Sequence, residues 1–120
     1  MATTDRCCTI VPYFEVSPDK LAQFKSIAER CVAQTRSEPK CLYYGFSFKG
    51  NVAHCREGYA DGESALAHLE KIGPLLNEAL AIAKLVRLEV HGPDEELARL
   101  REPMAKFQPE FFVLELGFRR

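Results

Sequence analysis

The segment 42–59 constrains the fold more than any other part of the chain. Lys49-Gly50-Asn51-Val52 lies between two strand-like runs and reads as a two-residue hairpin turn. Glycine there supplies the positive φ that a primed turn requires. With that tip, Lys49 pairs with Val52, Phe48 with Ala53, Phe46 with Cys55, Tyr44 with Glu57 and Leu42 with Tyr59. Successive side chains alternate between the faces of a sheet. One face therefore carries Leu42, Tyr44, Phe46, Phe48, Ala53, Cys55, Glu57 and Tyr59. The other carries Tyr43, Gly45, Ser47, Lys49, Val52, His54, Arg56 and Gly58. The first face is apolar and aromatic apart from Glu57. A carboxylate buried there without a partner would cost several kcal/mol, so it needs a hydrogen bond, a proton or a function.

The rest of the chain builds around this hairpin. A β-prone stretch over 8–16 leads into Ser17-Pro18-Asp19, a helix-start signal with serine at the cap and proline at the first helical position. Leu21, Phe24, Ile27, Ala28, Cys31 and Val32 follow at helical spacing, and Ser37-Glu38-Pro39 ends that helix. Asp61 is the expected cap of a second helix through Ala65, Leu66 and Leu69. Gly73-Pro74 is expected to interrupt it, with a second helical stretch to about 83. A strand over 85–91 places Val86, Leu88 and Val90 on one face and Arg87 and Glu89 on the other. A short charged helix is expected over 94–106 and a last strand over 111–118, with Phe112, Leu114, Leu116 and Phe118 together on one face. The order βαββαβ predicts an α+β, ferredoxin-like antiparallel sheet with helices on one face, in a single domain spanning 1–120. Pro12 falls inside the first strand, which predicts a bulge or an early start there.

Helices cover one sheet face only. The other carries Tyr43, Ser47, His54, Arg56, Arg87 and Glu89, a mixture that predicts a homodimer pairing Arg with Glu across a two-fold axis. A sheet wetted on one side is the alternative.

Composition excludes several functions. A net charge of -1 gives no electrostatic footing for nucleic acid. The amino terminus has no apolar core of a secretory signal, and no uncharged stretch is long enough to span a membrane, so a cytoplasmic protein is expected. The cysteines, Cys7, Cys8, Cys31, Cys41 and Cys55, are odd in number and form no CxxC, which predicts free thiols. His54 and Cys55 are neighbours on a strand and face opposite ways, and no histidine spacing suits a metal site, so no metal is expected. GxGxxG, Walker and Gly-x-Ser-x-Gly motifs are absent, which removes nucleotide binding and elbow-serine hydrolysis.

Two residues stand out as carriers of chemistry. Glu57 reads either as a carboxylate of raised pKa that orients a substrate or a histidine, or as a structural anchor bonded to a tyrosine. His68 lies two turns into the second helix, at the edge of its apolar stripe. It reads either as a general base pointing into a cleft or as a boundary histidine. His91 is expected at the surface.

The run Arg56-Glu57-Gly58-Tyr59-Ala60-Asp61-Gly62-Glu63-Ser64-Ala65-Leu66-Ala67-His68 resembles the antibiotic biosynthesis monooxygenase family, within the dimeric α+β barrel superfamily. The likeness runs from the first strand to about residue 91. The resemblance implies a strand glutamate, an aromatic residue and a helix histidine lining a cleft, which here are Glu57, Tyr59 and His68. The aromatic position is usually tryptophan in that family, and this chain has none, which argues against a haem-degrading role. The activity implied is a cofactor-independent oxidation of a phenolic, hydroquinone or polyketide-like aromatic by oxygen. His68 would take the acidic proton, Glu57 would orient the imidazole or the substrate, and Tyr44 and Tyr59 would hold the oxyanion. Phe46 and Cys55 would line the same site. The alternative is a non-catalytic, small-molecule-binding sensor or accessory protein of the same fold.

Overall fold

The computed structural model describes residues 3–120. Five strands form one sheet in the order β2-β3-β1-β4-β5. They are β1 (Cys8–Val16), β2 (Cys41–Lys49), β3 (Val52–Tyr59), β4 (Ala83–Gly92) and β5 (Glu110–Val113). The first four pair antiparallel, as the ferredoxin-like order requires, and β5 joins β4 in parallel. Helices α1 (Leu21–Thr35) and α2 (Gly62–Leu80) lie side by side on one face, clamped at the surface by a two-pronged Arg30–Glu78 pair at 2.8 and 2.9 Å. A four-residue helix, α3 (Asp94–Leu97), follows β4.

Two apolar clusters fill the space between sheet and helices. One gathers Phe14, Phe24, Ile27, Ala53 and Ile72. In it, the ring of Phe24 meets the rings of Phe14, Phe46 and Phe48 at centroid distances of 5.4, 6.3 and 6.3 Å. Each such aromatic pair contributes about 0.5–1.5 kcal/mol beyond its burial. The other gathers Ile10, Tyr59, Ala65, Leu88, Leu97, Leu100 and Met104.

The hairpin has the expected register from Lys49↔Val52 to Tyr44↔Glu57, and Gly50 takes a φ of 57° at its tip. The expected Leu42–Tyr59 pair is not formed. Tyr59 pairs with Cys41 and Gly58 with Tyr43, so Leu42 is the extra residue of a bulge and turns outward. A second bulge corrects β4. Tyr13 pairs with Arg87 and Phe14 with Leu85, which leaves Val86 exposed and puts Leu85 inside with Leu88 and Val90. The bulge or early start expected at Pro12 is not formed: β1 runs through it in one register with β3, and the register shift against β4 comes after it, between Tyr13 and Phe14. The β1–β3 ladder passes from Ile10↔Glu57 to Tyr13↔His54 without a pair at Pro12, so the missing N–H falls on the β3 side.

Three further expectations change. Gly73-Pro74 does not break α2, which runs unbroken through Pro74. Glu70 and Pro74 are both exposed, so water can take the bond the proline gives up, while Ile72, Leu75 and Ala79 hold the helix to the core. The charged helix ends at Leu97 and continues as turns and a short 3-10 turn over Ala105–Phe107. Pro103 has no N–H and disfavours helical backbone at the residue before it. The last strand stops at Val113, opposite Gly92, because β4 has no residue beyond Gly92 to pair with. Leu116 and Phe118 are 73% and 79% exposed. Ser17 precedes a 3-10 turn at Pro18–Lys20 and its side chain makes no capping bond. On the open sheet face, Arg87 binds Glu89 at 2.7 Å and Glu110 at 3.2 Å within the chain. No helix among the described residues is long and apolar enough to cross a membrane.

Candidate functional site

Alternation along β3 aims Glu57 and Tyr59 at the helices, and the cap of α2 fixes where its first two turns begin. Asp61 Oδ1 accepts from the Ser64 backbone N–H at 2.8 Å and from its hydroxyl at 2.6 Å. From that start α2 turns His68 inward. The histidine is 2% exposed, deep in the protein rather than at the stripe's edge.

His68 sits between two carboxylates. Glu57 Oε1 lies 3.4 Å from Nε2, and both oxygens of Glu38 lie 3.1 Å from Nδ1. Glu57 and Glu38 are 6% and 8% exposed. A carboxylate at Nδ1 accepts its hydrogen, which favours the tautomer with Nε2 bare and able to take a proton. The imidazole also packs against the rings of Tyr59 and Tyr44, at 5.0 and 5.4 Å between centroids. The Tyr59 hydroxyl donates to Glu57 Oε1 at 2.6 Å.

Burial pushes the Glu57 carboxyl up, opposed by the neighbouring His68 and by the Tyr59 hydroxyl. Burial likewise pushes the Tyr44, Tyr59 and Cys55 side chains far up, so the phenols are donors and the thiol is no nucleophile. Cys31, on α1 across the same space, is pushed up to about 11 by burial. All five cysteines are free.

Beside this cluster lies a narrow apolar cavity of about 70 Å³ between the two core clusters. Tyr44, Phe46, Cys55, Glu57 and His68 reach its wall. Of the candidate residues Tyr59 alone does not; it acts on the cavity through Glu57. The site is therefore an apolar chamber with one titratable corner, a layout suited to moving a proton on a largely apolar molecule. Among the described residues no group of His, Cys, Asp and Glu is placed to hold a metal ion. His54 packs at a tilt against Tyr13 on the opposite sheet face, and half-exposed His91 binds Glu89 at 3.0 Å.

Glu38 is the site residue that the sequence did not reveal. It stands in the turn after α1, where Ser37-Glu38-Pro39 reads only as a helix stop. Its backbone N–H bonds Thr35 and its carbonyl accepts from Cys41, which pins the turn over α2.

Comparison with family models and with curated protein sequences gives no match. Solved structures give several. MupZ from Pseudomonas fluorescens superposes with a TM-score of 0.95 at 47% identity, covering 100% of this chain and 94% of that one. A conserved protein from Methanosarcina mazei Go1 gives a TM-score of 0.62 at 21% identity, over 72% of this chain and 91% of its own. A putative antibiotic biosynthesis monooxygenase from Caulobacter crescentus CB15 gives 0.58 at 19% identity, over 72% and 88%. The chain shares its fold with structures named antibiotic biosynthesis monooxygenases, and by its 47% identity to MupZ over its whole length it belongs to the MupZ family.

Proposed function

We propose that the protein is an acid–base catalyst acting on a small, largely apolar molecule held in the cavity beside His68. One observation carries this reading: a single imidazole, buried at the cavity wall, has Glu38 on Nδ1 and Glu57 beside Nε2. Nε2 takes a proton from the substrate, and Glu38 stabilises the imidazolium that results. Tyr44 donates to the oxyanion. Tyr59 holds Glu57 in place. Groups placed this way contribute about 10²–10⁴-fold each to a proton-transfer step.

In its finer form the reaction is a cofactor-independent oxygenation of a phenolic or polyketide-like aromatic, supported by the names of the structural neighbours. Loss of the proton leaves an electron-rich anion that gives electrons to oxygen and forms a hydroperoxide at carbon. That intermediate loses water, so a CH₂ group becomes C=O, one oxygen atom stays in the product and the other leaves as water. The dry walls protect the anion from reprotonation.

A second reading is favoured by the geometry of Glu57, which stands 3.4 Å from His68 Nε2 with both side chains on one cavity wall. A carboxyl pushed up by burial beside an imidazole can deliver one proton while its neighbour removes another with no oxidant, which is what a redox-neutral rearrangement needs. An oxygen electrode combined with product mass separates the two. Oxygen uptake with a product that gains oxygen supports the oxygenase; an isomeric product without uptake supports the rearrangement. Turnover unchanged in His68→Ala overturns both. The open sheet face that carries Tyr43, Ser47 and His54 is where a second copy packs in the working homodimer, and a monomeric mass in native mass spectrometry would contradict that.

A further inference from the structure

We propose that the strap between β4 and β5, residues 93–109, is the end wall of the cavity, and that Met104 and Phe107 set the length of the apolar chain it accepts. The cavity draws its lining from both core clusters: Phe24, Ile27 and Ile72 from one, Ile10, Met104 and Phe107 from the other. Met104 and Phe107 are the strap's contribution. Leu97, Leu100 and Met104 are fully buried, so the strap is part of the core and not a surface loop.

A specific latch seats it. Glu96 is buried; its Oε1 accepts from the Gly62 backbone N–H at 2.8 Å and its Oε2 from Arg6 Nη2 at 2.6 Å. Gly62 opens α2, the helix that carries His68. The two backbones approach so closely that a Cβ on Gly62 would lie 2.7 Å from the Glu96 carbonyl oxygen. At the far end Gln108 takes a φ of 52° as the chain turns into β5. The wall is thus latched at its start, and one of its two cavity-facing residues is methionine, an unbranched side chain that fits irregular space. Ligands suited to this chamber are slender and neutral, with a straight apolar tail.

Only the cavity's role as ligand site carries over from the proposed function; none of its proton chemistry does. Straight-chain alcohols from ethanol to octanol, titrated by isothermal calorimetry, test the wall directly. In the wild type affinity rises about fourfold per methylene, the ratio expected for burying one CH₂, up to a break point where the chain meets Met104. Met104→Ala moves that break out by about two methylenes, and Phe107→Ala moves it as well. Met104→Leu, close in volume, leaves it in place. A break point unmoved in the alanine variants, or a wild type that binds no alcohol, overturns the assignment. If Met104→Ala fails to fold, Phe107→Ala, at a half-buried position, decides. His68→Gln keeps the wild-type break point whether or not turnover is lost, so a failed mechanism and a failed wall are told apart.

Discussion

Both carboxylate oxygens of Glu38 lie 3.1 Å from Nδ1 of His68, although the two residues are 30 positions apart and on different elements. The pair joins the end of α1 to the second turn of α2 and turns the bare nitrogen of the imidazole toward Glu57. Its strength lies in orientation: a carboxylate can only accept, so it selects one tautomer, whereas an amide can donate as well and selects neither.

Glu38→Gln therefore loses the tautomer while keeping the shape. Turnover is expected to fall about 10²–10⁴-fold with little change in KM, and Glu38→Asp to recover part of it. A Gln variant as active as the wild type, with an unchanged pH profile, would show that Glu38 only fills space.

Glu57 gives a stability prediction with a definite sign. Burial raises its folded pKa above the ordinary 4.5, against the opposing effects of His68, Tyr59 and Cys55 and alongside that of Glu38. The folded state then holds the proton more tightly than the unfolded chain. Its stabilisation is complete below about 4.5 and is lost as pH climbs from there through the raised folded value. Glu57→Gln stays neutral throughout and lacks that slope, while His68 and Glu38 remain in both proteins. Urea unfolding between pH 4 and 8 should show the variant gaining on the wild type as pH rises. Parallel curves would mean that the carboxyl ionises as freely in the fold as out of it.

Asp61 behaves in the opposite way. Its bonds from the Ser64 hydroxyl and backbone N–H hold its carboxyl below the ordinary 3.8. Its capping stabilisation is present above about 3.8 and fades as pH falls through the lowered folded value. Asp61→Ala should cost about 1 kcal/mol at neutral pH, within the usual range for a lost cap, and less in strong acid. A penalty of the same size in acid as at pH 7 would rule out the ionised cap.

Much of the fold was legible because it depends on local rules. Gly50 sets the hairpin tip, period-two alternation then fixes both sheet faces, and a lone carboxylate on an apolar face marks Glu57. Rules of that kind fail where one residue is added. The bulges at Leu42 and Val86 turn two apolar side chains outward with no sign in their own identities, because each is set by the register of the neighbouring strand. The strap deceived for another reason. Its acids come first and its bases last, as in a helix, but Leu97, Leu100 and Met104 are buried through a chain of turns, so charge order suggested a backbone the strap does not have. Glu38 was illegible because its partner is chosen by how the end of α1 falls across α2. Nothing within several residues of position 38 records that packing.

Gly62 is where the strap and α2 meet, and it yields the most local test of their coupling. A methyl group there would lie 2.7 Å from the Glu96 backbone oxygen and 3.2 Å from Arg99 Cδ. The arginine side chain can swing away, but the carbonyl belongs to α3 and cannot yield without moving the strap. Gly62→Ala otherwise favours helix by up to about 1 kcal/mol, so a gain or loss in stability measures which effect wins. The expected outcome is net destabilisation, with faster amide exchange over residues 94–107 and at the start of α2, while the hairpin tip at Gly50 exchanges as before. A variant more stable than the wild type, with unchanged exchange in the strap, would show that the strap rides on α2 loosely enough to accept the methyl group, and that Glu96 does not hold it.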